Sequence, residues 1–201
     1  MLQIIPALLV AITVVIQCLA VQMSRYRLSR MNARPPHHGL ALMSGMLAAA
    51  AIILRLYQND SAVGVLFMTI MTGCMTLMTL TDAASCRLPR PFTIMYLISG
   101  SAFRLWQGDW LTGLCSAGFW FLLLLLFRQY TSYRRKTETI GLGDVFLIAG
   151  IAIWSPPGDI PWIVATAAGG ALLYLWCNRQ RRITRELPFG PFLCASQYAF
   201  T

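Results

Sequence analysis

Two aspartates, Asp82 and Asp144, are the side chains of this 201-residue sequence whose type and position could do chemistry. Each lies near one end of an apolar run, where an ionisable group is costly to dehydrate and is therefore a functional candidate. Two carboxyl groups held close together tend to share one proton. One of them can then accept a proton from water while the other donates a proton to a carbonyl oxygen. That chemistry hydrolyses a peptide bond with no metal, cofactor or nucleophilic side chain.

The composition places these acids in a membrane protein. Hydrophobic residues make up 57% of the chain and charged residues 11%, whereas a soluble domain carries roughly a quarter charged residues. We expect an all-α, polytopic membrane protein of about eight transmembrane or partial-span segments, forming one domain over residues 1–201. The apolar runs that predict these segments are 2–23, 40–57, 61–81, 92–106, 110–127, 140–154, 162–177 and 187 to the C-terminus.

Three of these runs need a separate interpretation. The sixth and eighth are shorter than the roughly 17–25 residues of a full span, so we expect tilted or partial spans there. The first run has no basic residues before it and several after it. We therefore expect a retained helix rather than a signal peptide.

The basic residues lie in alternate loops. All but two of the 16 Lys and Arg follow the first, third, fifth and seventh runs. Under the positive-inside rule these loops are cytoplasmic, and both termini are expected outside. This distribution accounts for the net charge of +9 and leaves no basic surface for nucleic acid, so the expected surrounding partner is membrane lipid. Toward the opposite side lie the two remaining basic residues, three acids and four interfacial tryptophans: Arg55, Arg104, Asp60, Asp109, Asp159, Trp106, Trp110, Trp154 and Trp162.

This topology makes a specific prediction about the two acids. Two spans separate Asp82 from Asp144, and an even number of crossings returns the chain to the side that it left. Both acids are therefore expected at the cytoplasmic border of the membrane. The alternative is that each acid is only solvated there or is paired with a nearby cation such as Arg87.

No other constellation in the sequence competes with the acid pair. The six cysteines contain no C-x-x-C spacing and lie mostly in apolar runs, where a thiol behaves as a small hydrophobic group. The two histidines, His37 and His38, are adjacent in a basic loop, and no Ser/His/Asp arrangement is recognisable. We therefore expect no metal site and no disulfide framework.

Two glycines precede the second acid, in the segment Gly141-Leu142-Gly143-Asp144. Glycine permits a backbone conformation that a side chain would block, or the close approach of another chain. A substrate strand lying against this segment would need that freedom. The alternative is a glycine-rich helix start with Asp144 as the N-terminal cap.

Together with two further motifs, this segment resembles the type IV prepilin leader peptidases, a bacterial branch of the G-x-G-D aspartyl proteases. The first motif is Asp82 followed seven residues later by Pro89. The second is the Gly141–Asp144 segment with Val145 after it. The third opens the last apolar run, and its residues are Leu187, Pro188, Phe189, Gly190, Pro191 and Phe192. The resemblance covers roughly residues 60–200 in the family's order.

The resemblance implies a function and a set of site residues. Asp82 and Asp144 would be the catalytic acids, with activity at the cytoplasmic face of the bacterial inner membrane. The substrates would be prepilins or pseudopilins of type IV pili or type II secretion, cut between a short basic leader and a hydrophobic helix. Supporting or substrate-binding roles would fall to the motif residues Gly141, Gly143, Pro188, Phe189, Gly190 and Pro191. The two prolines are expected to break or kink the last segment.

The sequence departs from many relatives in two places. Their loop after the first span is long and carries zinc-binding C-x-x-C pairs, but here residues 24–39 form a short loop with no cysteine. We expect no zinc and no cofactor for proteolysis. The family also N-methylates the new pilin N-terminus, and if this chain does so its methyl donor would be S-adenosylmethionine. Relatives often carry Lys at the position of Phe146, where we expect an effect on substrate contacts.

Three other functions use the same residues. A proton-coupled transporter would use the acids as a relay, although relay acids usually lie near mid-membrane. A presenilin-type or signal-peptide-peptidase-type protease also carries G-x-G-D, but its last motif is Pro-Ala-Leu. A non-catalytic scaffold for pilus or secretion assembly would need no acid pair. Cleavage of a prepilin would separate the leader-peptidase function from the transporter and the scaffold.

Two residue patterns in the runs indicate helix packing rather than a site. Four methionines of the third run recur on one helical face: Met68, Met71, Met75 and Met78. We expect them to pack between helices. Gly169 and Gly170 in the seventh run predict close approach of a second helix.

Overall fold

The apolar runs of the sequence are all helical. A computed structural model describes residues 4–31, 38–57, 61–86, 88, 90–135, 141–177 and 187–200, and this part of the chain contains eight α-helices and no strand. The helices are α1 (Ile4–Arg30), α2 (His38–Tyr57), α3 (Ala62–Ser85), α4 (Arg90–Gln107), α5 (Trp110–Arg135), α6 (Leu142–Trp154), α7 (Ile160–Cys177) and α8 (Gly190–Phe200). The all-α prediction is confirmed. Outside the described residues lie Pro89 and much of the predicted basic loops, including Arg34, Arg87, Lys136, Arg179, Arg181, Arg182 and Arg185.

Two helices extend beyond their apolar runs into the predicted basic loops. α1 continues through Arg25 and Arg27 to Arg30, so the loop expected over residues 24–39 is wrong in its first half. Arginine is a good helix former, and the Arg27 guanidinium lies over the Phe92 ring at 4.9 Å, which ties this extension to the start of α4. α5 likewise continues to Arg135.

Five of the helices are long and apolar enough to cross a membrane: α1, α2, α3, α5 and α7. The chain is a multi-pass membrane protein. α6 has 13 residues, which at about 1.5 Å per residue leaves it well short of a hydrocarbon core about 30 Å thick. The expectation of a short sixth segment is therefore confirmed.

α3 lies at the centre of the bundle and contacts α1, α2, α4 and α8. In its most apolar stretch 72% of the residues are buried, against at most 22% in the other four long helices. All four methionines of the predicted stripe are buried, which confirms their packing role. The helix begins after Ser61, whose hydroxyl accepts the Gly64 N–H at 3.2 Å. It ends at Cys86, which adopts the left-handed conformation with φ 50°.

α4 and α6 run parallel and approach closely along a seam of glycines. A Cβ at Gly150 would lie 2.6 Å from the Tyr96 ring, and a Cβ at Gly100 would lie 2.7 Å from the Trp154 indole. The Trp154 indole N–H also donates to the Tyr96 carbonyl at 3.2 Å. Because small residues let helix backbones approach closely in membranes, this seam fixes the register of α6 on α4. It therefore determines the level at which the first turn of α6 lies.

The end of α6 opposite Asp144 is held by a buried arginine. The Arg104 guanidinium donates to the carbonyls of Ile153 and Ser155 at 2.7 and 2.9 Å, and it also forms an ion pair with Asp109 at 3.3 Å. The last C=O groups of a helix have no intrahelical donor, and the Arg104 guanidinium supplies donors to these carbonyls at the end of α6. The Phe103 ring packs at 5.0 Å from Trp154 beside this contact. Arg104, Asp109 and Trp154 therefore share one end of the bundle, as the charge pattern predicts.

The other predicted glycine contact is wrong at Gly169, whereas Gly170 faces α8. A Cβ at Gly169 would meet nothing within 4 Å, and a Cβ at Gly170 would be in ordinary contact with Phe192 at 3.4 Å. Gly169 is exposed on α7, so no helix approaches closely there within the described part of the chain.

These two kinds of glycine make a matched pair of substitutions. Gly150→Ala should lower the free energy of unfolding in detergent by about 1–3 kcal/mol, because the new methyl group overlaps the enclosed Tyr96 ring. Gly169→Ala should leave it unchanged or raise it slightly, because alanine favours helix and the added methyl meets no atom. Thermal unfolding of both variants in the same detergent is the measurement. Equal stabilities would contradict the close α4–α6 contact.

Candidate active site

Asp82 lies inside α3, one turn before the helix ends, and not at a loop. The apolar run stops at residue 81, but the helix continues to Ser85. The Asp82 side chain is only 4% exposed. Its own carbonyl accepts the Cys86 N–H at 2.7 Å, so the helix end and the carboxyl group are held by the same short segment. A carboxyl group buried to this extent needs a hydrogen-bond donor.

The donor to Asp82 comes from the third sequence motif. The backbone N–H of Gly190, the first residue of α8, donates to Asp82 Oδ2 at 2.9 Å. The first N–H groups of a helix have no intrahelical acceptor and carry the positive end of the helix dipole, so a carboxylate is stabilised there. This contact joins residues 108 positions apart in the sequence.

Only glycine allows α8 to come this close. A Cβ at position 190 would lie 2.7 Å from Asp82 Oδ2, 3.2 Å from its Cγ and 3.3 Å from its Cβ. Any side chain at this position would separate the helix start from the acid. Gly190 thus contacts Asp82 because it has no side chain, and not because of a special backbone angle. Its supporting role in a reaction stays a prediction.

Asp144 lies in the first turn of α6 and is partly exposed. Its backbone N–H donates to the Gly141 carbonyl at 3.1 Å. The residue in the N-cap position is Gly141, which makes no side-chain cap. The alternative interpretation of Asp144 as the helix cap is therefore wrong, and its carboxyl group is left for other interactions.

The two glycines of the second motif act through close contact, not through unusual backbone angles. Among the described glycines only Gly108 has a positive φ. A Cβ at Gly143 would lie 2.8 Å from the Leu88 Cβ, and a Cβ at Gly141 would lie 3.2 Å from Asp144 Oδ2. Leu88 belongs to the connection that leaves α3, so the first and second motifs meet at Gly143. Neither glycine adopts a left-handed backbone conformation, and the group that approaches Gly143 closely is Leu88 of this chain. The approach of a substrate strand to this segment stays a prediction.

The structure brings Asp82 and Asp144 to the same end of the bundle. The backbones of α3 and α6 do not meet directly in the described residues, but α4 and α8 each pack against both helices. Side chains from α3, α4, α6 and α8 form one apolar cluster beneath the acids. The two carboxyl groups interact electrostatically. The topological prediction that both acids lie at one side is confirmed, and they are near enough to act on one another.

The remaining residues of the third motif form the entry to α8. Pro188 and Phe189 lie in a half-buried, non-helical segment before the helix, and Phe189 packs against the apolar cluster. Pro191 lies in the first turn of α8, where its missing N–H costs no helical hydrogen bond. The prolines thus end the irregular segment and begin a helix, and they do not kink one. The segment runs directly beside Asp82 through Gly190.

Three further residues near the acids were missed by the sequence reasoning. Leu88 packs on Gly143. Thr79 and Cys194 are hydrogen-bonded to each other, and Cys194 lies near Asp82. Helical spacing was the available signal: Thr79 precedes Asp82 by three residues, and Cys194 follows Gly190 by four. Each therefore shares a helix face with a motif residue.

Phe146 follows Asp144 by two residues on α6. The Phe146 ring lies 5.2 Å from the Phe121 ring of α5, so this side chain covers the α5 side of α6. Within the described ranges no three His, Cys, Asp or Glu side chains gather in a way that could hold a metal ion.

Comparisons with known proteins point to one family. Residues 69–176 match the type IV leader peptidase family. Two curated relatives, from Burkholderia pseudomallei strains 1026b and K96243, are each described as a prepilin leader peptidase/N-methyltransferase and are 33% identical over 167 residues. The match covers 78% of this chain and 51% of each relative, so the chain spans about half the length of these relatives. No solved structure matches the chain.

The Gly190–Asp82 contact predicts opposite results for two substitutions of the same acid. Asp82→Asn should retain the stability of the parent protein, because the amide oxygen can still accept the Gly190 N–H. Asp82→Leu should lower the free energy of unfolding by about 1–3 kcal/mol, because it leaves that N–H buried and unpaired. Unfolding in detergent measures both. If the two variants were equally stable, the hydrogen bond would not support α8.

Proposed function

This chain belongs to the type IV leader peptidase family, and we propose that it is a membrane aspartyl endopeptidase that removes the leader peptide from a prepilin or pseudopilin. Asp82 and Asp144 are the proposed catalytic pair. The observation that carries the proposal is the meeting of three sequence motifs at one end of the bundle. Gly190 donates to Asp82, Leu88 packs on Gly143, and the two carboxyl groups interact.

The hydrogen bonds around the acids suggest a division of roles. The Gly190 N–H stabilises a carboxylate more than a carboxylic acid, and Asp82 is therefore the proposed base. Asp144 donates its backbone N–H to the Gly141 carbonyl, and its carboxyl group lies near enough to Asp82 to be affected by it. In a pair that shares one proton, Asp144 is then the proposed acid.

The proposed reaction follows from these roles. Asp82 takes a proton from a water molecule, whose oxygen attacks the scissile carbonyl carbon, while Asp144 donates its proton to the carbonyl oxygen. The tetrahedral diol then collapses as a diol hydroxyl returns a proton to Asp144. The C–N bond breaks, and the leaving nitrogen takes the proton held by Asp82. Each acid is restored, so the pair turns over without a cofactor.

The depth of the acids fits the proposed substrate. A prepilin carries a short basic leader before a hydrophobic helix, and the cut falls at their junction. Asp82 lies one turn before the end of α3 and Asp144 in the first turn of α6. A substrate helix placed in the membrane beside the bundle would present its junction at this level. The proposed location is the bacterial inner membrane with the acids facing the cytoplasm, where the positive-inside rule places this end.

Methylation of the new N-terminus is a second proposed activity, supported by the description of the relatives as peptidase and N-methyltransferase. S-adenosylmethionine would supply the methyl group. No described residue cluster marks a place for this donor, and the proteolytic mechanism does not use it. The mass of the mature pilin N-terminus reports this activity separately from cleavage.

The proposal is tested by co-expressing the protein with a candidate prepilin and following the pilin by gel mobility and N-terminal sequencing. Asp82→Asn and Asp144→Asn should each reduce cleavage by about 10²–10⁴-fold, because each removes one proton-transfer group. Each substitution keeps the shape of the side chain.

Asp159→Asn is the matched control. Asp159 precedes α7 at the opposite end of the bundle, and asparagine retains its hydrogen-bonding shape, so this variant should cleave at the rate of the parent protein. Membrane levels of all variants are measured by immunoblot. Cleavage that survives both acid substitutions would overturn the pair mechanism. An unprocessed pilin in every case would move the transporter or scaffold function ahead.

The shared proton also predicts the pH dependence of cleavage. The rate requires one charged and one protonated carboxyl group, so kcat/KM should follow a bell-shaped curve. It should fall at low pH as Asp82 takes up a proton, and at high pH as the pair loses the shared proton. Purified protein and prepilin in detergent, assayed across pH, provide the measurement. A flat profile over the range in which the protein stays folded would contradict a shared-proton mechanism.

A further inference from the structure

α8 begins at the candidate site, because its first residue places one N–H on Asp82 at 2.9 Å. This contact requires one particular depth and rotation of the helix. Side-chain contacts between α8 and the neighbouring helices hold it in that position.

Three consecutive residues near the end of α8 supply these contacts to three different helices. The Ser196 hydroxyl donates to the Ile163 carbonyl on α7 at 2.9 Å. The Gln197 side-chain oxygen accepts the Tyr96 hydroxyl of α4 at 2.6 Å. The Tyr198 hydroxyl donates to a carbonyl of α3 at 3.4 Å. The Gln197–Tyr96 contact joins two side chains, and both residues are completely buried.

The Gln197 side chain lies on the same face of α8 as Gly190. Seven residues are two turns of an α-helix, with a rotational difference of only about 20°. Leu193 and Cys194 lie between them on this face and are 0% and 1% exposed. Ser196, by contrast, is six residues from Gly190 and lies on another side of the helix. A hydrogen bond at Gln197 therefore holds the same face of α8 that contacts Asp82 through Gly190.

The Tyr96–Gln197 contact tolerates little displacement. Both side chains are 0% exposed, and a buried amide or hydroxyl without a partner costs about 1–3 kcal/mol. A slip or rotation of α8 would separate the pair and leave two polar groups in an apolar interior. Tyr96 is itself held, because its carbonyl accepts the Trp154 indole N–H and its ring packs against Gly150. The α4–α6 seam, which places Asp144, is thus linked to the helix that contacts Asp82.

We propose that Tyr96 and Gln197 are positioning residues for the acid pair, because their hydrogen bond fixes the register of α8 and thereby holds the Gly190 N–H on Asp82. Neither side chain touches the reacting atoms in this assignment. The consequence for cleavage rests on the proposed peptidase function, whereas the effect on α8 itself does not.

The test compares purified variants in kinetics with a prepilin substrate. Gln197→Leu should lower kcat by about 10²-fold with KM within about threefold, because a displacement of about 1 Å at a catalytic group has an effect of this size. The acidic limb of the kcat/KM profile should move to higher pH, since Asp82 loses the donor that stabilises its charge. The titratable groups facing Asp82 are Asp144 from α6 and Cys194 from α8, and neither is altered in this variant.

Two further variants separate positioning from stability. Tyr96→Phe/Gln197→Leu removes both polar partners, so it should regain much of the stability lost in Gln197→Leu while kcat and the acidic limb stay displaced. Ser196→Ala removes a buried hydrogen bond from the neighbouring residue, on another face of the same helix. Ser196→Ala should lower the free energy of unfolding. Its kcat should stay within about twofold of the parent value, and the acidic limb of its kcat/KM profile should not move. If Ser196→Ala and Gln197→Leu gave the same kinetics, or if the double variant regained kcat, the positioning role would be overturned.

Labelling of Cys194 reports the position of α8 without any substrate. In a protein whose other five cysteines are replaced by serine, Cys194 should be protected from a small thiol reagent. Gln197→Leu should speed its labelling about tenfold by opening this face of α8, and Ser196→Ala should not. Unchanged labelling in Gln197→Leu would refute the proposal even if the protein cleaves prepilin. Faster labelling in a protein that cleaves no prepilin would support the positioning of α8 and reject the peptidase function.

Discussion

The hydrogen bond from the Gly190 N–H to the Asp82 carboxyl group is the contact on which the arrangement of this bundle depends. A carboxyl group on the central, most buried helix requires a donor, and the free N–H at the start of α8 provides one. The donor can reach the acid only because residue 190 has no side chain. The position of an 11-residue helix is thus tied to the chemistry of one acid.

The same requirement explains why so many other contacts in the molecule are polar or made by glycine. Helices in a membrane gain little from burying apolar surface against one another, so close backbone approach and hydrogen bonds carry their specificity. Gly100, Gly143 and Gly150 bring α4 and the segment before it onto α6, and Arg104 closes the far end of α6. Asp144 is placed by this second set of contacts, which the Tyr96–Gln197 hydrogen bond links to α8. The two acids lie at one end of the bundle because α6 and α8 both begin near the end of α3.

Most of the secondary structure and the sidedness of the site followed from local patterns. Apolar runs predicted all eight helices, and the alternation of basic and acidic turns predicted that Asp82 and Asp144 lie at one end. The predicted helix ends were wrong where a helix continues beyond its apolar run. The predicted loop after the first run is half helix because arginine continues a helix as readily as an apolar residue does. Asp82 lies inside α3 for a similar reason, since the run ends before the helix does.

The sequence by itself determined the class of the molecule, the two acids and the glycines beside them, because hydropathy, charge distribution and motif order are properties of neighbouring residues. Which atoms each glycine contacts was decided only by the tertiary structure. Gly169 and Gly190 both sit in apolar segments, yet the first faces open space and the second faces Asp82 at contact distance. The pairing of Tyr96 with Gln197, 101 residues apart, left no local signal either. Such contacts depend on the depth and rotation of whole helices, which follow from packing among all of them and not from any one segment.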